Sequence, residues 1–494
     1  MPKLVLKKEP NLTSKHDAFV YQSQAVEALK DKVYGAVFHE QGLGKTKIAI
    51  DIMLYWLEHK LIDTILLVTK KSLINNWERE LASHTYIKPK LLTQNGAANF
   101  HAFNSPSRVI LTHYEVLRSE KSRFLLFLKA RDVAIILDES AKIKNPDSEI
   151  TKVLFQLSGL FKKRFIMTGT PVANRPFDIW AQIKFLDSGV SLGDDFNTFK
   201  KNTDLSNDLC TDKLRQKDFE NTIEDIYRKI SSFAVRQTKS GGVIILPDKI
   251  VKRIYTDWET HQYDLYRQVR DEMRVVVLRE GIPTEDKSQD LLKRILRLVQ
   301  IASNPGLVDS GYHAEPGKLE FLRDIVHNVC SHGEKCIIWS AFTENVDWLA
   351  RELASYGTCR VHGKLSIDRR NGALQSFMHD EDRRVLVATP SSAKEGLTLT
   401  VANHVIFYDR TFSLDDYLQA QDRIHRISQS RTCYVHNLIM PESIDEWIDI
   451  LLQSKHLAAQ LAQGDISLEY YRTSMTYEFG TIIKEILGIG NSVQ

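Results

Sequence analysis

The chain has 494 residues, of which 43% are hydrophobic and 26% charged, so collagen-like, disordered and membrane classes all fit poorly. This length exceeds what one hydrophobic core usually supports, and it predicts roughly two to four domains. Lys and Arg total 66 against 63 Asp and Glu, so the net charge is only +3 and any nucleic-acid binding must depend on local basic patches.

The sequence contains no sign of secretion or membrane insertion. The N-terminal stretch MPKLVLKKEP is positively charged without an apolar segment, and no later window offers about 18 uninterrupted apolar residues. The 5 cysteines form no CxxC motif and no His/Cys ligand cluster, which indicates ordinary thiols in a reducing compartment. We therefore expect a cytoplasmic protein without a membrane partner.

Short β-branched runs alternate with helix-length stretches from residue 33 to residue 138, which is typical of a parallel α/β sheet. The runs are GAVF, TILLV, RVILTHY and VAIILD, and RFIMTG follows. The alternation returns in KCIIWS, CRVHG, RVLVATP, HVIFYDR and TCYVHNLI, while the residues between the two sets repeat with helical period. We predict an α/β fold with two parallel-sheet lobes (1–190 and 313–442), a helical insertion and linker between them (191–312), and a helical C-terminal tail (443–494).

The first motif with chemical meaning is HEQGLGKT, which begins at His39, follows the run GAVF and precedes a helical stretch. This is the context that a phosphate-binding loop requires. Gly42 and Gly44 would let backbone N–H groups approach phosphate oxygens, Lys45 would reach the β- and γ-phosphates of ATP, and Thr46 would hold Mg²⁺. Because His39 replaces the first glycine of the common motif, an accidental turn is the alternative.

A second motif, LDES, follows the run VAII at the carboxyl end of a predicted strand, where open α/β sheets present their ligand sites. Asp138 would hold Mg²⁺ through its waters, and Glu139 would orient and deprotonate an attacking water. A solvated Asp-Glu pair that caps a helix is the alternative, and the upstream phosphate loop favours the catalytic interpretation.

A third motif, QAQDRIHRISQ, lies in the second predicted lobe and contains Arg423 and Arg426 three residues apart, hence on one face if the segment is helical. Guanidinium groups delivered across a cleft suit stabilisation of charge on a transferring γ-phosphate, the arginine-finger role. Taken alone, the segment would be a solvated charged helix face.

These motifs, in this order, resemble the Swi/Snf-type ATPases of helicase superfamily 2, from about Tyr21 to about Ile439. VYQSQAVEAL resembles the family's glutamine motif. Five further segments resemble motifs I, Ia, Ib, II and III in turn: HEQGLGKT, ILLVTKKSLINNWERE, ILTHYEVLR, LDESAKIKN and MTGTPVANRPFDIWAQIKFLD. In the second lobe, four segments resemble motifs IV to VI: IIWSAFTENVDWL, VHGKLSIDRR, VLVATPSSAKEGLTLTVANHVIFYD and QAQDRIHRISQ. The resemblance implies that the lobes are RecA-like, that Gln22 reads adenine, and that Leu43 and Gly396 also line the nucleotide.

Besides His39, which stands where the family usually has an acidic or small residue, the sequence departs from the family in two places. Motif II reads DESA where the family usually has DEAH or DEAQ, so Ser140 and Ala141 replace residues that help couple hydrolysis to the lobes. After motif V, RTFSLDDYLQ stands where eukaryotic remodelers tend to carry a Trp-Asn-Pro turn. The second departure looks closer to bacterial or phage members, so we expect a bacterial host cytoplasm, with a phage-encoded protein left open.

Lysine, hydroxyl and histidine side chains at predicted strand ends and loops would hold the phosphates of one nucleic-acid strand without reading bases. A solvated surface residue is the alternative for each of them. The residues are Lys70, Lys71, Ser72, Thr112, His113 and Lys394.

The sequence thus predicts a DNA-dependent ATPase that uses ATP and Mg²⁺ to translocate on double-stranded DNA in repair, recombination, replication or defence, with RNA left open. One alternative is a nucleotide-switched DNA-binding or recruitment module with slow hydrolysis, for which Ser140 and Ala141 are the only hint. Another is the motor subunit of a nuclease complex, in which a partner supplies the nuclease or targeting function.

Overall fold

The computed structural model describes residues 6–242, 246–280, 289–392, 398–478 and 481, without the side chains of 207, 208, 273–280, 289–292 and 294. The chain divides into two compact units. The first contains residues 1–204, 218–244 and 458–471, and the second contains 205–217, 245–457 and 472–494. The domain limits expected at residues 190, 312 and 442 stay predictions.

The first unit is built on a parallel sheet that has seven strands in the part of the chain described, in the order β3-β4-β2-β5-β6-β1-β7. Its central strands are buried on both faces, which explains their continuous β-branched runs. The five strands expected in this lobe are confirmed. The strands are β1 (Tyr34–Val37), β2 (Thr64–Thr69), β3 (Lys90–Leu91), β4 (Val109–His113), β5 (Val133–Asp138), β6 (Lys163–Met167) and β7 (Ala234–Val235).

The second unit is built on a parallel sheet with six strands among the described residues, in the order β10-β11-β9-β12-β13-β8. The five strands expected in this lobe are confirmed here too. The strands are β8 (Lys249–Tyr255), β9 (Cys336–Trp339), β10 (Thr358–Val361), β11 (Val385–Ala388), β12 (His404–Phe407) and β13 (Cys433–Ile439). The α/β fold with two parallel-sheet lobes is therefore present as predicted.

Helices connect the parallel strands and cover the sheets. In chain order they are α1 (Val20–Leu29), α2 (Lys45–Glu58), α3 (Ile74–His84), α4 (Gly96–Asn104), α5 (Tyr114–Ser119), α6 (Lys121–Ala130), α7 (Glu149–Ser158), α8 (Trp180–Asp187), α9 (Phe196–Thr203), α10 (Lys213–Ile230), α11 (Thr260–Glu280), α12 (Gln289–Ser303), α13 (Lys318–Ser331), α14 (Thr343–Glu352), α15 (Ile367–His379), α16 (Leu414–Gln421), α17 (Ile444–Ala462) and α18 (Leu468–Ser474). No helix in the described ranges is long and apolar enough to cross a membrane.

Two strands come from the segment that the sequence pattern indicated as helical. Strand β7 pairs with β1, so that Ala234 lies opposite Ala36, and β8 pairs with β13 along its whole length. The helices expected there are also present, and α10 buries Phe219, Ile223 and Ile226 on one face. The segment between the lobes therefore extends both sheets as well as adding helices.

A histidine pair lies in the second sheet. His404 Nδ1 is 3.1 Å from His436 Nε2, and His404 Nε2 is 2.9 Å from Glu334 Oε2. Burial and the neighbouring His404 lower the pKa of His436 to about 4, so His436 is neutral in the folded protein at pH 7.

Candidate active site

The predicted phosphate loop joins β1 to α2, at the carboxyl edge of the first sheet. Gly42 (φ 85°) and Gly44 (φ 67°) adopt left-handed backbone conformations that favour glycine. Gly44 is the residue before the first turn of α2, so the free N–H groups of the helix start directly after the loop. Leu43 is buried, and Thr46 is half-buried in that first turn. The local geometry is that of an anion-binding loop.

Lys45 lies across this loop. Its Nζ donates hydrogen bonds to the carbonyl oxygens of His39 (3.0 Å) and Glu40 (3.2 Å). Burial lowers the pKa of Lys45 to about 8, against the opposing effect of the carboxylates of Glu139 and Asp138. Lys45, Glu139 and Asp138 are therefore close enough to influence one another electrostatically.

The residue that the resemblance assigns to adenine, Gln22, is buried against the same loop. Gln22 Oε1 accepts a hydrogen bond from Phe19 N (3.0 Å), and Nε2 lies 3.4 Å from Tyr21 Oη. Tyr21 in turn donates to the carbonyl of Leu43 (3.3 Å). A Cβ at Gly44 would stand 2.2 Å from Gln22 Nε2, so only glycine allows this packing.

Asp138 is the last residue of β5, and three side chains fix its position. Its Oδ2 accepts hydrogen bonds from Thr69 Oγ1 (2.8 Å) and Trp77 Nε1 (2.7 Å). Tyr114 Oη donates to the Asp138 carbonyl (2.8 Å). Burial, and then the adjacent Glu139, raise the pKa of Asp138 above its ordinary value. The carboxylate is thus rigidly oriented in a site that favours a cation beside it.

Glu139 follows in a left-handed conformation with φ 54° and ψ 50°, which is rare for a residue other than glycine. Its Oε2 is buried and has no hydrogen-bond partner among the described residues. Lys70 Nζ lies 3.9 Å from this oxygen. A strained backbone and an unsatisfied carboxylate oxygen are typical of functional sites.

Ser140, the departure in motif II, is fully buried and donates to Gln182 Oε1 (2.8 Å). Gln182 Nε2 donates to the carbonyls of Pro171 (2.8 Å) and Asp178 (3.0 Å). Motif II is therefore connected to the segment after motif III through this serine. The substitution of the usual residue leaves a satisfied polar contact rather than a gap.

The predicted nucleic-acid residues of the first unit fall into two groups. Lys71 and Ser72 are exposed, and Lys70 is half-buried beside Glu139. Thr112 is fully buried, and its hydroxyl donates to the Leu92 carbonyl. A phosphate cannot reach Thr112 in this structure.

The remaining nucleic-acid candidates are not exposed in this structure or lie outside its description. His113 is buried, and its Nδ1 is 2.8 Å from Glu115 Oε2. Lys394 lies outside the described residues, as does Gly396, which was expected at the nucleotide.

The condition under which Arg423 and Arg426 would share one face, a helical segment, is not met. Helix α16 ends at Gln421, and both arginines lie in the turns that follow. Arg423 is buried, and its carbonyl accepts from Leu399 N (3.0 Å). Arg426 donates through Nη1 to Thr398 Oγ1 (2.9 Å) and through Nε to the Asp422 carbonyl (2.9 Å). Neither arginine has the environment of a solvated helix face.

Several residues of the site were not predicted from the sequence in these roles. Thr69 and Trp77 orient Asp138 from positions 69 and 61 residues away in the chain. Trp77 was noted only as part of motif Ia. Gln182, inside the motif III segment, has no local pattern that would reveal its contact with Ser140.

The donor set fits ATP and Mg²⁺. A left-handed glycine loop, a lysine and a helix start are suited to phosphates, and the oriented Asp138 with the Thr46 hydroxyl is suited to a hard cation. No group of three or more His, Cys, Asp or Glu residues among the described residues forms a separate metal site. The fold and site thus define a class: an α/β protein with two parallel sheets, the first of which carries a phosphate loop facing an Asp-Glu pair.

Comparison with known families agrees with this class. The model of the SNF2-related domain matches residues 21–307, and the model of the helicase conserved C-terminal domain matches residues 317–428. Because the first match alone covers more than half of the chain, the chain belongs to the SNF2-related family. The resemblance found in the sequence motifs is therefore confirmed.

Two curated relatives show the extent of the similarity. An uncharacterized ATP-dependent helicase of Mycoplasma pneumoniae is 27% identical over 459 residues, covering 90% of this chain and 42% of the relative. The ISWI chromatin-remodeling complex ATPase ISW1 of Saccharomyces cerevisiae is 26% identical over 458 residues, covering 87% of this chain and 39% of the relative. The chain spans less than half the length of either relative.

Among solved structures, the chain is similar to the Sulfolobus solfataricus SWI2/SNF2 ATPase core in complex with dsDNA. The two are 24% identical, the match covers 95% of this chain and 99% of that one, and the TM-score is 0.42.

Proposed function

We propose that this chain is a DNA-dependent ATPase that hydrolyses ATP to ADP and phosphate and uses the energy to move along double-stranded DNA. The observation that carries the proposal is the convergence of Lys45, Asp138 and Glu139. They follow β1 and β5, which are separated in the sheet only by β6 and point the same way. Both carboxylates act electrostatically on the lysine.

The loop and Lys45 bind the phosphates in this proposal. The Lys45 ammonium exchanges the carbonyls of His39 and Glu40 for β- and γ-phosphate oxygens, which are stronger, charged acceptors. Gln22, held against Gly44, recognises the base. The glycine conformations let backbone N–H groups approach the phosphates.

Asp138 and Thr46 would hold Mg²⁺, which would neutralise phosphate charge when bound. Thr69 and Trp77 occupy one oxygen of Asp138 and so keep its carboxylate in a single orientation. Glu139 orients the attacking water and accepts its proton as the water oxygen bonds to the γ-phosphorus, while the bond from the γ-phosphorus to the bridging oxygen breaks and its electron pair leaves with ADP. The buried Oε2 supports this role because it has no hydrogen-bond donor within the described part of the chain.

The polymer and second-unit residues complete the proposal. Lys71 and Ser72 are exposed next to Lys70, and they are suited to backbone phosphates of DNA. Arg423 and Arg426, from the motif VI segment, would stabilise charge on the transferring phosphoryl group. Membership of the SNF2-related family supports DNA as the polymer, and a role in repair, recombination, replication or defence is proposed on the same ground.

The nucleotide-switched module with slow hydrolysis is less well supported. Its only hint was the DESA sequence, and Ser140 makes a buried hydrogen bond to Gln182 that keeps motif II connected to the motif III segment. A partner protein that adds nuclease or targeting function is compatible with the motor and is proposed only as an addition to it.

Steady-state ATPase rates with and without duplex DNA test the proposal. Duplex DNA should stimulate the wild type, and Lys45→Ala should weaken both nucleotide binding and turnover. Glu139→Gln should keep binding and lose about 10²-fold or more in rate. Glu149→Gln, on the exposed start of α7, is the matched control and should behave as wild type. Unchanged turnover in Glu139→Gln would remove Glu139 from its role, and a rate insensitive to DNA would favour the switch.

A further inference from the structure

One arginine of the first unit, Arg236, contacts both sides of the nucleotide site without belonging to any motif discussed above. It follows β7, the neighbour of β1 in the sheet. Its Nη1 donates to the carbonyl of Phe38, where the phosphate loop begins, and lies 3.5 Å from the carbonyl of Gly169 in motif III. Its Nη2 is 4.0 Å from Glu40 Oε1. The side chain is 9% exposed.

Gly169 faces Lys45 and Gln41 across a narrow gap. A Cβ on Gly169 would stand 3.2 Å from Lys45 Nζ and 2.6 Å from Gln41 Cγ. Gly169 of motif III therefore lies close to the loop, with little free space between them. Arg236 connects the two through their backbone carbonyls.

The partner of Arg236 comes from the C-terminal part of the chain. Asp465 accepts from Nε (2.9 Å) and from Nη2 (2.6 Å) of Arg236, a bidentate ion pair in which both side chains are 9% exposed. The pairing fixes the plane of the guanidinium group. Asp465 thus determines which way the remaining N–H groups of Arg236 point.

The position of Asp465 is itself well determined. Asp465 N donates to the Gln460 carbonyl (2.9 Å) at the end of α17. Gly464, with φ 72°, packs so closely on Tyr227 of α10 that a Cβ would stand 2.6 Å from the ring. Helix α17, which leads to Asp465, begins in the second unit.

A second set of contacts holds the loop from the same side. Phe38 N donates to the Val235 carbonyl and Glu40 N to the Gln237 carbonyl, each at 2.9 Å, and Lys239 N donates to Glu40 Oε2 (2.7 Å). Residues 235–239 therefore run beside the start of the phosphate loop. Arg236 is the residue of this stretch that also reaches motif III.

We propose that Asp465 is a positioning residue of the nucleotide site: it holds Arg236 against the carbonyls of Phe38 and Gly169, and thereby sets the spacing between the phosphate loop and motif III. The site therefore includes residues well beyond the last helicase motif. The proposal rests on the proposed nucleotide-binding function. It predicts that loss of the Asp465 carboxylate loosens nucleotide binding without removing any group that contacts the nucleotide.

The test compares Asp465→Asn with Asp225→Asn in the full chain. Asp225 forms a 2.6 Å pair with Arg228 on the exposed side of α10, so the same chemical change is made in an arginine–aspartate pair of the same unit. Binding of Mg²⁺ and N-methylanthraniloyl-ADP is measured by fluorescence, together with KM and kcat for ATP and the thermal midpoint. We expect Asp465→Asn to weaken ADP binding and raise KM about 10-fold, and Asp225→Asn to change neither.

Two further variants separate positioning from simple stability. Asp465→Glu keeps the carboxylate and should recover part of the affinity. The exchange of Arg236→Asp with Asp465→Arg restores an ion pair but no donor for Phe38 and Gly169, so it should stay impaired. Wild-type ADP affinity in Asp465→Asn, or full recovery in the exchanged pair, would overturn the proposal. A wild-type chain that binds no ADP would instead refute the proposed function.

Discussion

The contact between Gln22 and Gly44 leads to a prediction that separates backbone strain from steric contact. In Gly44→Ala, the backbone of the alanine must adopt φ 67°, and its Cβ would stand 2.2 Å from Gln22 Nε2. In Gly193→Ala, also in the first unit, the residue has φ 83° but nothing lies within 4 Å of the new Cβ. The two variants share the conformational cost and differ in the collision.

The magnitudes follow from these geometries. An alanine in the left-handed region costs about 1–2 kcal/mol. In Gly44→Ala the buried Gln22 amide must also move, which breaks its hydrogen bond with Phe19 N and adds about 1 kcal/mol. We therefore expect a loss of about 2–3 kcal/mol in Gly44→Ala and about 1–2 kcal/mol in Gly193→Ala.

Binding and stability are measured side by side. Fluorescent ADP should bind at least about 10-fold more weakly to Gly44→Ala, since both the loop and the proposed adenine contact move, and normally to Gly193→Ala. Combining Gly44→Ala with Gln22→Ala should lower the unfolding midpoint little further than Gly44→Ala alone, because the single variant has already lost the hydrogen bond that Gln22→Ala removes. Equal midpoints for the two single variants, with ADP binding intact in both, would refute the reasoning.

Three further predictions address DNA, pH and the second unit. Lys70→Ala and Lys71→Ala should each reduce the slope of log affinity for duplex DNA against log salt by about 0.9. Only Lys70→Ala, next to Glu139, should also alter the ATPase rate without DNA, and equal DNA-free rates in the two variants would contradict this. Because the pKa of His436 is lowered to about 4, its contribution to folding stability should be constant above about pH 6.5 and fall by up to about 3 kcal/mol as the pH drops towards 4. Burial also lowers the pKa of His39 to about 4, so His436→Gln should reduce the pH dependence of the urea midpoint without removing it. Ala at Arg423 or Arg426 should remove DNA-stimulated turnover, by about 10³-fold or more, while fluorescent ADP still binds, and normal stimulation in both variants would assign them a structural role.

Much of the fold could be predicted because parallel strands buried on both faces leave an unmistakable pattern. VAIILD and TILLVT form neighbouring buried strands, and the predicted position of Asp138 at the end of a strand is observed. Strand β8 was missed because its sequence, KIVKRIY, mixes charged and apolar residues, and most of it is exposed at the sheet edge. Edge strands are less buried, so their sequences lack the continuous apolar run that predicts a central strand.

The errors in the site have a similar cause, because they depend on contacts distant in sequence. The segment containing Arg423 suggested a helix by its spacing. Instead, Gln429 Nε2 donates to the carbonyl of Ala402 (2.9 Å), 27 residues away, and to that of nearby Ile424 (3.0 Å), and these hydrogen bonds support a turn. Likewise, no local pattern reveals that Trp77 donates to Asp138. Motif spacing therefore does not indicate which side chains hold a site residue in place.

Displacement of a third strand from a triplex by the purified chain is the most direct test of the central claim, that ATP hydrolysis at this site drives movement along double-stranded DNA. Translocation would remove the third strand without separating the duplex. The wild type should displace the third strand with ATP and Mg²⁺, and Glu139→Gln should bind ATP and DNA but displace none. A wild type that hydrolyses ATP in response to DNA yet leaves the triplex intact, or a Glu139→Gln variant that displaces it at the normal rate, would contradict the account.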